Sequence, residues 1–209
     1  MKISKSKATI LIILFCVAFI YTARFVLGPA KVTFLSHVSA ARVKGNPQAS
    51  VRITEYIDFQ CPACARGAAV LKEYMIKYPS LIYLEVKYFP LSQMHPYALK
   101  SALYAECAAR QNKFWAFQDL LIEKQAQWER LLNVDPMFQE MAQNANLDLN
   151  KLEACVNSDD AKSVVLREKA EGKSLGVDST PTYFINGKMM VGPKPLGEEL
   201  DKYFGGKNH

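Results

Sequence analysis

Apolar and polar side chains alternate along two short stretches of this chain, from Val51 to Phe59 and from Ile82 to Phe89. A period of two is typical of a β-strand that buries one face. Between these stretches, the residues from Ala65 to Tyr78 follow a helical spacing instead. The pattern therefore predicts a strand, a helix and a second strand in succession.

The pattern is helical from Pro96 to about Leu175. Turn or capping residues interrupt it near 133–136, 146–150 and 157–160. Ser158 precedes two aspartates at the last interruption, which favours a helix start there. A block of about 80 residues with so few breaks is too long to be a loop. We interpret it as an all-helical insertion.

A hairpin and a final helix are predicted near the carboxyl terminus. Asn186-Gly187 separates the runs Thr182–Ile185 and Lys188–Val191, and this dipeptide favours a two-residue turn between antiparallel strands. A short helix fits Leu196–Phe204. The chain therefore closes with two strands and a helix.

The order of these elements predicts an α/β fold. We expect residues 51–205 to form one mixed sheet with helices on both faces, interrupted by the helical insertion at about 95–175. Residues 31–50 show little periodicity and are interpreted as a linker, with a short strand at Lys31–Leu35.

Residues 1–30 carry the pattern of a membrane-targeting segment. Three lysines precede an apolar run from Ile10 to Ile20 that continues with interruptions to Leu27. Basic residues before such a run place the amino terminus in the cytoplasm, and roughly 18–20 residues can cross a bilayer. A retained signal anchor is favoured over a cleaved signal peptide, because Tyr21-Thr22-Ala23 is a poor cleavage site. Both alternatives place the rest of the chain outside the cytoplasm, on the periplasmic side of the inner membrane.

The charge of the chain gives no support for nucleic-acid binding, and its length limits the number of domains. The chain has 209 residues and a formal net charge of +6. Four of its basic residues lie in residues 1–30, which contain no acidic residue, so the remainder is too weakly basic to indicate a nucleic-acid partner. The length allows a membrane segment and one domain with a sizeable core.

The first predicted helix begins at a pair of cysteines, in the sequence Cys61-Pro62-Ala63-Cys64. A proline suits the first helical turn, because its missing N–H costs little there. Cys61 is therefore expected at a helix N-terminus, where unpaired amides and the helix dipole favour the reactive thiolate. A zinc site needs about four ligands, whereas the other cysteines are isolated and there are three histidines. A redox dithiol is favoured over an inert disulfide or half of a metal site.

Two further cysteines, Cys107 and Cys155, lie on predicted helices of the insertion, 48 positions apart. Disulfides persist outside the cytoplasm, so a structural disulfide between them is expected. Two buried free thiols, or a second redox pair, are the alternatives.

A set of motifs runs along the chain in a fixed order. It begins with Glu-Tyr-Ile-Asp-Phe-Gln-Cys-Pro-Ala-Cys at Glu55–Cys64. It continues with Lys87–Leu91, His95-Pro96, Ala105–Ala108, Lys113–Trp115 and Gly176–Gly187. In this order the motifs resemble the DsbA-like thiol–disulfide oxidoreductases of the thioredoxin superfamily, over about residues 50–205. The resemblance implies a thioredoxin-like fold with an inserted helical domain.

The resemblance also implies roles for residues around the dithiol. Cys61 would form a mixed disulfide with a substrate cysteine, and Cys64 would be the resolving thiol. Thr180-Pro181 is similar to the family's cis-proline dipeptide, which faces the dithiol and binds the substrate backbone. A cis X–Pro bond is a rare structured feature, and the backbone groups of Thr180 suit an extended peptide.

Glu55 and Lys87 match the family's positions for a buried acid and its lysine partner beneath the active site. A buried carboxylate there can take the proton of Cys64 as this thiol attacks the mixed disulfide. An ordinary ion pair between the two, or an exposed strand carboxylate, is the alternative.

The leading interpretation is a membrane-tethered, monomeric thiol oxidase that passes its disulfide to cysteine-containing substrate proteins. The resemblance implies reoxidation by a quinone-linked membrane partner, and no metal or other cofactor is expected. Tethering would keep the protein near that partner.

A reductase or isomerase that uses the same site is the alternative. Pro62-Ala63 departs from the Pro-His pair of the best-known oxidases and so lacks one stabiliser of the thiolate. The segment 31–50 leaves no room for the dimerisation domain of dedicated isomerases. A chaperone-like binding module, active without the Cys61 thiol, is a third hypothesis from a different class.

Overall fold

A computed structural model of the chain describes residues 39–205. Its five strands are β1 Val43–Gly45, β2 Val51–Ile57, β3 Ile82–Tyr88, β4 Thr182–Ile185 and β5 Lys188–Val191. They form one sheet in the order β1-β3-β2-β4-β5. β2 and β3 run parallel, and the other neighbours run antiparallel. The predicted mixed sheet is therefore confirmed.

Eight α-helices accompany the sheet within the described part of the chain. They are α1 Pro62–Lys77, α2 Ala98–Arg110, α3 Phe114–Glu123, α4 Gln125–Trp128, α5 Asp135–Asn144, α6 Leu149–Val156, α7 Asp159–Ser174 and α8 Pro193–Phe204. Helices α2 to α7 follow β3 and precede β4, so they form the predicted helical insertion. Among residues 39–205 no helix is both long and apolar enough to span a bilayer.

Local signals account for several element boundaries. Ser158 precedes α7 and its hydroxyl accepts a hydrogen bond from the amide of Ala161, as a helix N-cap does. In the β4–β5 turn, Asn186 and Gly187 have φ angles of 48° and 85°. Asn and Gly tolerate this left-handed region best, which is why this pair forms the turn. The predicted helix start and the predicted hairpin are both confirmed.

The sheet and the insertion share one hydrophobic core. A single cluster of buried side chains joins Ile53 and Val86 of the sheet, Leu71 of α1, and Phe117 and Trp128 of the insertion. Burial of such side chains supplies most of the favourable free energy of folding. The insertion is therefore packed as part of the same domain as the sheet.

The opposite face of the sheet is covered by α7. Tyr56, Phe89 and Val177 form a second, small cluster of buried side chains there. The rings of Tyr56 and Phe89 meet edge to face, with centroids 6.2 Å apart. The expectation of helices on both faces of the sheet is confirmed.

The linker predicted over residues 31–50 is wrong in its second half. A 3-10 helix at Ala40–Arg42 and strand β1 lie there, and β1 pairs with β3 at the edge of the sheet. A strand of three residues has too few positions to show an alternating pattern. The membrane segment predicted over 1–30 and the strand predicted at Lys31–Leu35 lie outside the described residues.

Arg42 anchors this first segment to the domain. Its side chain is 1% exposed and donates two hydrogen bonds to the Glu168 carboxylate of α7, at 2.9 and 2.6 Å. A third bond reaches the carbonyl oxygen of Val86 in β3 at 2.8 Å. A buried guanidinium needs such partners, because an unpaired charge is costly to bury.

Candidate active site

Cys61 lies where β2 passes into α1. It is the last residue before the helix, and Pro62 is the first helical residue. The carbonyl oxygen of Cys61 accepts a hydrogen bond from the amide of Cys64 at 3.0 Å. Cys61 is 8% exposed, whereas Cys64 is fully buried. The predicted position of the dithiol at a helix N-terminus is confirmed, with one sulfur near the surface and the other beneath it.

A buried carboxylate shapes the turn that leads to the dithiol. Asp58 accepts hydrogen bonds from the amides of Gln60 and Leu91, and its Oδ2 lies 2.8 Å from Nδ1 of His95. These contacts join the end of β2 to the loop that follows β3. Asp58 therefore fixes the backbone from which the active helix starts.

The helical insertion holds the same turn from the other side. Gln125 of α4 donates through Nε2 to the carbonyl oxygen of Phe59 at 2.6 Å and to that of Cys61 at 3.1 Å. Gln125 is buried, so it supplies both carbonyl oxygens with a donor where water does not reach. Its contacts position Cys61 relative to the insertion.

Hydrogen bonds to the Cys61 sulfur favour its thiolate. The largest contribution comes from the Cys64 thiol, and the amides of Cys64 and Ala63 add to it against the opposing effect of burial. Together they lower the pKa of Cys61 to about 5. Cys61 is therefore ionised at neutral pH, the reactive state of a cysteine.

Cys64 has the opposite tendency. Burial raises its pKa well above the ordinary value, and the neighbouring Cys61 and the charge of Glu55 add to that shift. Cys64 therefore keeps its proton at neutral pH. The dithiol combines an ionised outer sulfur with a protonated inner one.

The segment before β4 passes in front of Cys61. The Thr180–Pro181 peptide bond is cis, as the resemblance implied. The sulfur of Cys61 lies 3.3 Å from the carbonyl oxygen of Thr180, to which the thiol donates when it is protonated. The Thr180 hydroxyl is buried and makes no hydrogen bond within the described residues. The structure thus brings Thr180, Pro181 and Cys61 together.

Glu55 and Tyr183 lie below the dithiol. Glu55 is 1% exposed, and the sheet register places it directly opposite Tyr183 of β4. Burial raises the pKa of Glu55 to about 8, and the nearby Tyr183 hydroxyl opposes this shift. Since the charge of Glu55 acts on Cys64, the structure places a carboxyl that titrates near neutral pH beside the inner thiol.

Glu55 also lines a groove of about 600 Å³ between α1 and α3. Most of its walls are apolar, and Met75 and Trp115 contribute to them. Gln118 lies in the groove as well, and its buried carbonyl oxygen has no hydrogen-bond partner among the described residues. The exposed side chain of Lys72 lines the same groove, which connects the surroundings of Glu55 with solvent.

Lys87 does not lie beneath the dithiol, so the expected pairing with Glu55 is wrong. In the register, Lys87 pairs with Tyr56, whereas Glu55 pairs with Val86. Neighbouring residues along a strand point to opposite faces, so Glu55 and Lys87 lie on opposite faces of the sheet. The Lys87 ammonium is instead 2.6 Å from the carboxylate of Glu171 on α7.

The remaining described cysteines lie in the insertion. Cys107 of α2 and Cys155 of α6 are joined by a disulfide, while Cys61 and Cys64 are free thiols. Within residues 39–205, no group of three or more His, Cys, Asp or Glu side chains is arranged to hold a metal ion.

Two site residues escaped the sequence patterns. Gln125 looks like any glutamine of a helical block, and Tyr183 looks like an ordinary core residue of a strand. For Tyr183 one signal was present. It follows Pro181 by two residues, so it lies at the start of the strand that begins next to the dithiol. For Gln125 the chain carries no local signal.

Comparison with known proteins agrees with this geometry. The model of the thioredoxin family matches residues 38–203. The chain belongs to the thioredoxin family. Its fold is that of the DsbA-like proteins, as the resemblance implied. The structure of α-DsbA1 from Wolbachia pipientis superposes with a TM-score of 0.67 at 22% identity, over 79% of this chain and 91% of that one. BdbD from Bacillus subtilis gives a TM-score of 0.66 at 18% identity, over 77% and 91%.

At the level of sequence this thioredoxin-family chain is similar to part of some larger proteins. It is 32% identical over 151 residues to the Na⁺/H⁺ antiporter NhaA 3 of Salinispora tropica. The aligned residues make up 72% of this chain and 22% of the antiporter. It is 33% identical over 147 residues to NhaA 1 of Salinispora arenicola, over 70% and 22%. The chain thus spans about a fifth of the length of these relatives. Most of each antiporter has no counterpart in this match.

Proposed function

We propose that this protein is a thiol–disulfide oxidoreductase that donates a Cys61–Cys64 disulfide to cysteine-containing substrate proteins. The observation that carries the proposal is the position of Cys61 at the N-terminus of α1, above the buried Cys64 thiol. Hydrogen bonds from Cys64 and the helix amides lower the pKa of Cys61 to about 5. A stabilised thiolate favours the reduced form of the pair and so makes the oxidised pair a stronger oxidant. It also makes Cys61 a good leaving group.

The exchange takes two steps. A substrate thiolate attacks the Cys61 sulfur of the disulfide, a mixed disulfide forms, and Cys64 leaves as a thiolate. A second substrate thiolate then attacks the substrate sulfur of the mixed disulfide and releases Cys61 as a thiolate. The substrate gains one disulfide, and its two electrons remain on the Cys61–Cys64 pair.

Glu55 handles the proton of Cys64 in this scheme. When Cys64 leaves, it takes a proton from the Glu55 carboxyl, because its own pKa is raised well above that of an ordinary thiol. In the reverse step the Glu55 carboxylate accepts the proton again. A pKa of about 8 suits a group that must both give and take a proton near neutral pH.

Thr180 is proposed to hold the substrate backbone. Its carbonyl oxygen lies 3.3 Å from the Cys61 sulfur. Neither the Cys61 thiolate nor a disulfide carries a thiol proton, so neither form uses this carbonyl oxygen. The oxidised protein can then offer it to a backbone amide of an extended peptide, next to Pro181.

A continuous cycle requires an acceptor for the two electrons. We propose a quinone-linked membrane protein for this role, with residues 1–30 as the anchor that raises the local concentration of a monomeric domain. The Cys107–Cys155 disulfide supports a place outside the cytoplasm, where disulfides persist.

The reduction potential of the Cys61–Cys64 pair tests the direction of exchange. The full chain is equilibrated with glutathione buffers, and the reduced fraction is read by alkylation and mass measurement. A potential near about −120 mV, in the range of disulfide donors, supports the proposal. A potential near about −270 mV would make the protein a reductase. A Cys107→Ala/Cys155→Ala variant ensures that only the Cys61–Cys64 pair is counted.

A further inference from the structure

Tyr183 reaches the underside of the dithiol from the neighbouring strand. It is fully buried, and it is paired with Glu55 across the antiparallel β2–β4 ladder. Side chains paired in this way lie on the same face of the sheet, with Cβ atoms about 4.5–5.5 Å apart. The face that carries Glu55 toward Cys64 therefore also carries the Tyr183 phenol.

Gly67 shows how close the phenol comes to the active helix. Gly67 follows Cys64 by three residues on α1. A Cβ atom at this glycine would lie 1.9 Å from Oη of Tyr183 and 3.2 Å from its Cζ. The hydroxyl thus occupies space that any larger residue at position 67 would fill, directly below the first turns of α1.

The polar atoms in this space lack partners. Oε1 of Glu55, Oη of Tyr183 and Oγ1 of Thr180 are buried without a hydrogen bond within the described residues. Buried polar atoms rarely remain unpaired. Unpaired polar atoms around a dithiol can gain their partners during the reaction, when a sulfur or a carboxyl becomes negatively charged. This explains why several of them lie together here.

We propose that Tyr183 is a positioning residue for proton transfer in thiol exchange: its hydroxyl donates a hydrogen bond to the Glu55 carboxylate and so stabilises the form that accepts the Cys64 proton. This inference rests on the proposed function and extends it. The step is the attack of Cys64 on a mixed disulfide. Cys64 gives its proton to Glu55, its sulfur bonds to Cys61, and the substrate leaves as a thiolate.

Few other titratable groups face Glu55. Cys64 at the start of α1 and Tyr183 on β4 interact with it. The charged residues that line the groove beside Glu55 are Lys44 of β1, Lys72 of α1, and Asp119 and Glu123 of α3. These four are exposed, so solvent screens them. The hydroxyl of Tyr183 is therefore the principal local donor to a Glu55 carboxylate.

Tyr183→Phe isolates the contribution of this hydroxyl in the full-length protein. Glutathione is attached to Cys61 as a mixed disulfide, and the rate at which Cys64 releases it is measured from acid to alkaline pH by quenching and mass spectrometry. Loss of a donor raises the pKa of a carboxyl, so fewer Glu55 groups are ionised below that pKa. We expect the midpoint of the pH profile to move up by about one unit and the rate at pH 7 to fall about tenfold. The rate at alkaline pH should be unchanged.

Tyr56→Phe is the matched control. Tyr56 is also fully buried and its hydroxyl also lacks a partner among the described residues, but it lies on the other face of the sheet. Its pH profile should match that of the native protein. In the Glu55→Gln background, Tyr183→Phe should cause no further slowing, because no carboxylate is left to receive the hydrogen bond.

Two results overturn the inference, and each points to a different cause. In the first, the native protein releases glutathione normally, and Tyr183→Phe either leaves the pH profile of the release rate unchanged or slows the release equally at every pH. Tyr183 then does not act through Glu55. If the native protein shows no release that depends on Cys64, the proposed function fails and this inference fails with it.

Discussion

Gln125 of the helical insertion donates a hydrogen bond to the carbonyl oxygen of Cys61 across 3.1 Å. The same side chain bonds the carbonyl oxygen of Phe59 at 2.6 Å. One residue of the insertion thereby fixes the turn from which the active helix of the sheet domain begins. The insertion is therefore a structural support of the dithiol.

Gln125→Leu should lower the free energy of unfolding by about 1–3 kcal/mol, because two buried carbonyl oxygens lose a donor. Urea unfolding of the reduced protein measures the change. Gln127→Leu, on the exposed side of the same short helix, is the control and should have little effect. Equal losses in the two variants would mean that the contacts of Gln125 contribute nothing specific.

The thiolate of Cys61 should make the reduced protein's stability depend on pH. In the folded state the pKa of Cys61 is about 5, below the ordinary value of about 8.5 that applies to the unfolded chain. The resulting stabilisation is complete above the ordinary pKa, shrinks as the pH falls, and is lost once the pH passes below about 5.

Melting temperatures of the reduced and the oxidised protein, compared between pH 8 and pH 4.5, check this dependence. The advantage of the reduced form over the oxidised form should decrease steadily toward acid pH. Cys61→Ser should remove most of the trend. A difference between the two forms that stays constant over this range would contradict the low pKa of Cys61.

Cys64→Ser should convert transient mixed disulfides into stable ones, because the resolving thiol is missing. Incubation with a reduced substrate protein and a mild oxidant should yield a covalent adduct at Cys61, seen by non-reducing electrophoresis. Cys61→Ser should give none, since Cys64 is fully buried. Adducts with Cys61→Ser, or their absence with Cys64→Ser, would reverse the proposed roles of the two sulfurs.

The disulfide between Cys107 and Cys155 closes a loop of 48 residues. Its removal by Cys107→Ala/Cys155→Ala should lower stability by about 4 kcal/mol according to the chain-entropy model. The pKa of Cys61, followed by the ultraviolet absorbance of its thiolate, should not change. A melting temperature equal to that of the native protein would show that this bond has no structural role.

Gly67→Ala should strongly destabilise the protein, because the new methyl group would lie 1.9 Å from Oη of Tyr183. Adding Tyr183→Phe removes that oxygen and leaves Cζ, at 3.2 Å, as the nearest atom. The double variant should therefore be more stable than Gly67→Ala alone, a non-additive result measured by thermal unfolding.

Gly197→Ala on α8 provides the comparison for this pair, since nothing lies within 4 Å of the added methyl group. It should be neutral or slightly stabilising, because alanine favours helices. If Gly67→Ala behaves like Gly197→Ala, the phenol does not occupy the space below α1.

Elements with a local cause were predictable from the sequence. Pro62 marks the start of α1, Ser158 caps α7, and Asn186-Gly187 makes the β4–β5 turn, each through the conformation of a few adjacent residues. The position of the dithiol at a helix N-terminus followed from the same kind of signal. The spacing of apolar residues was sufficient to predict a helix or a strand wherever the element was long enough to show the repeat.

Relationships across the sheet were not predictable in this way. Whether Glu55 and Lys87 share a face depends on the pairing of β2 with β3, and a shift of one residue would reverse the answer. The motif suggested that Glu55 and Lys87 form a pair, but the strand register places them on opposite faces of the sheet. Strand β1 was missed for a different reason, because Val43–Gly45 is too short to show a period.

Arg42 gives the domain a mechanical property. It stands between residues 1–38 and strand β2 in the chain, and its guanidinium is bonded to both α7 and β3. Tension applied at the amino-terminal side is therefore borne by this buried ion pair and passed to the interior of the sheet and the insertion. Strand β2, which ends at the dithiol, follows this ion pair and strand β1 in the chain, so such a force reaches the pair before it reaches β2.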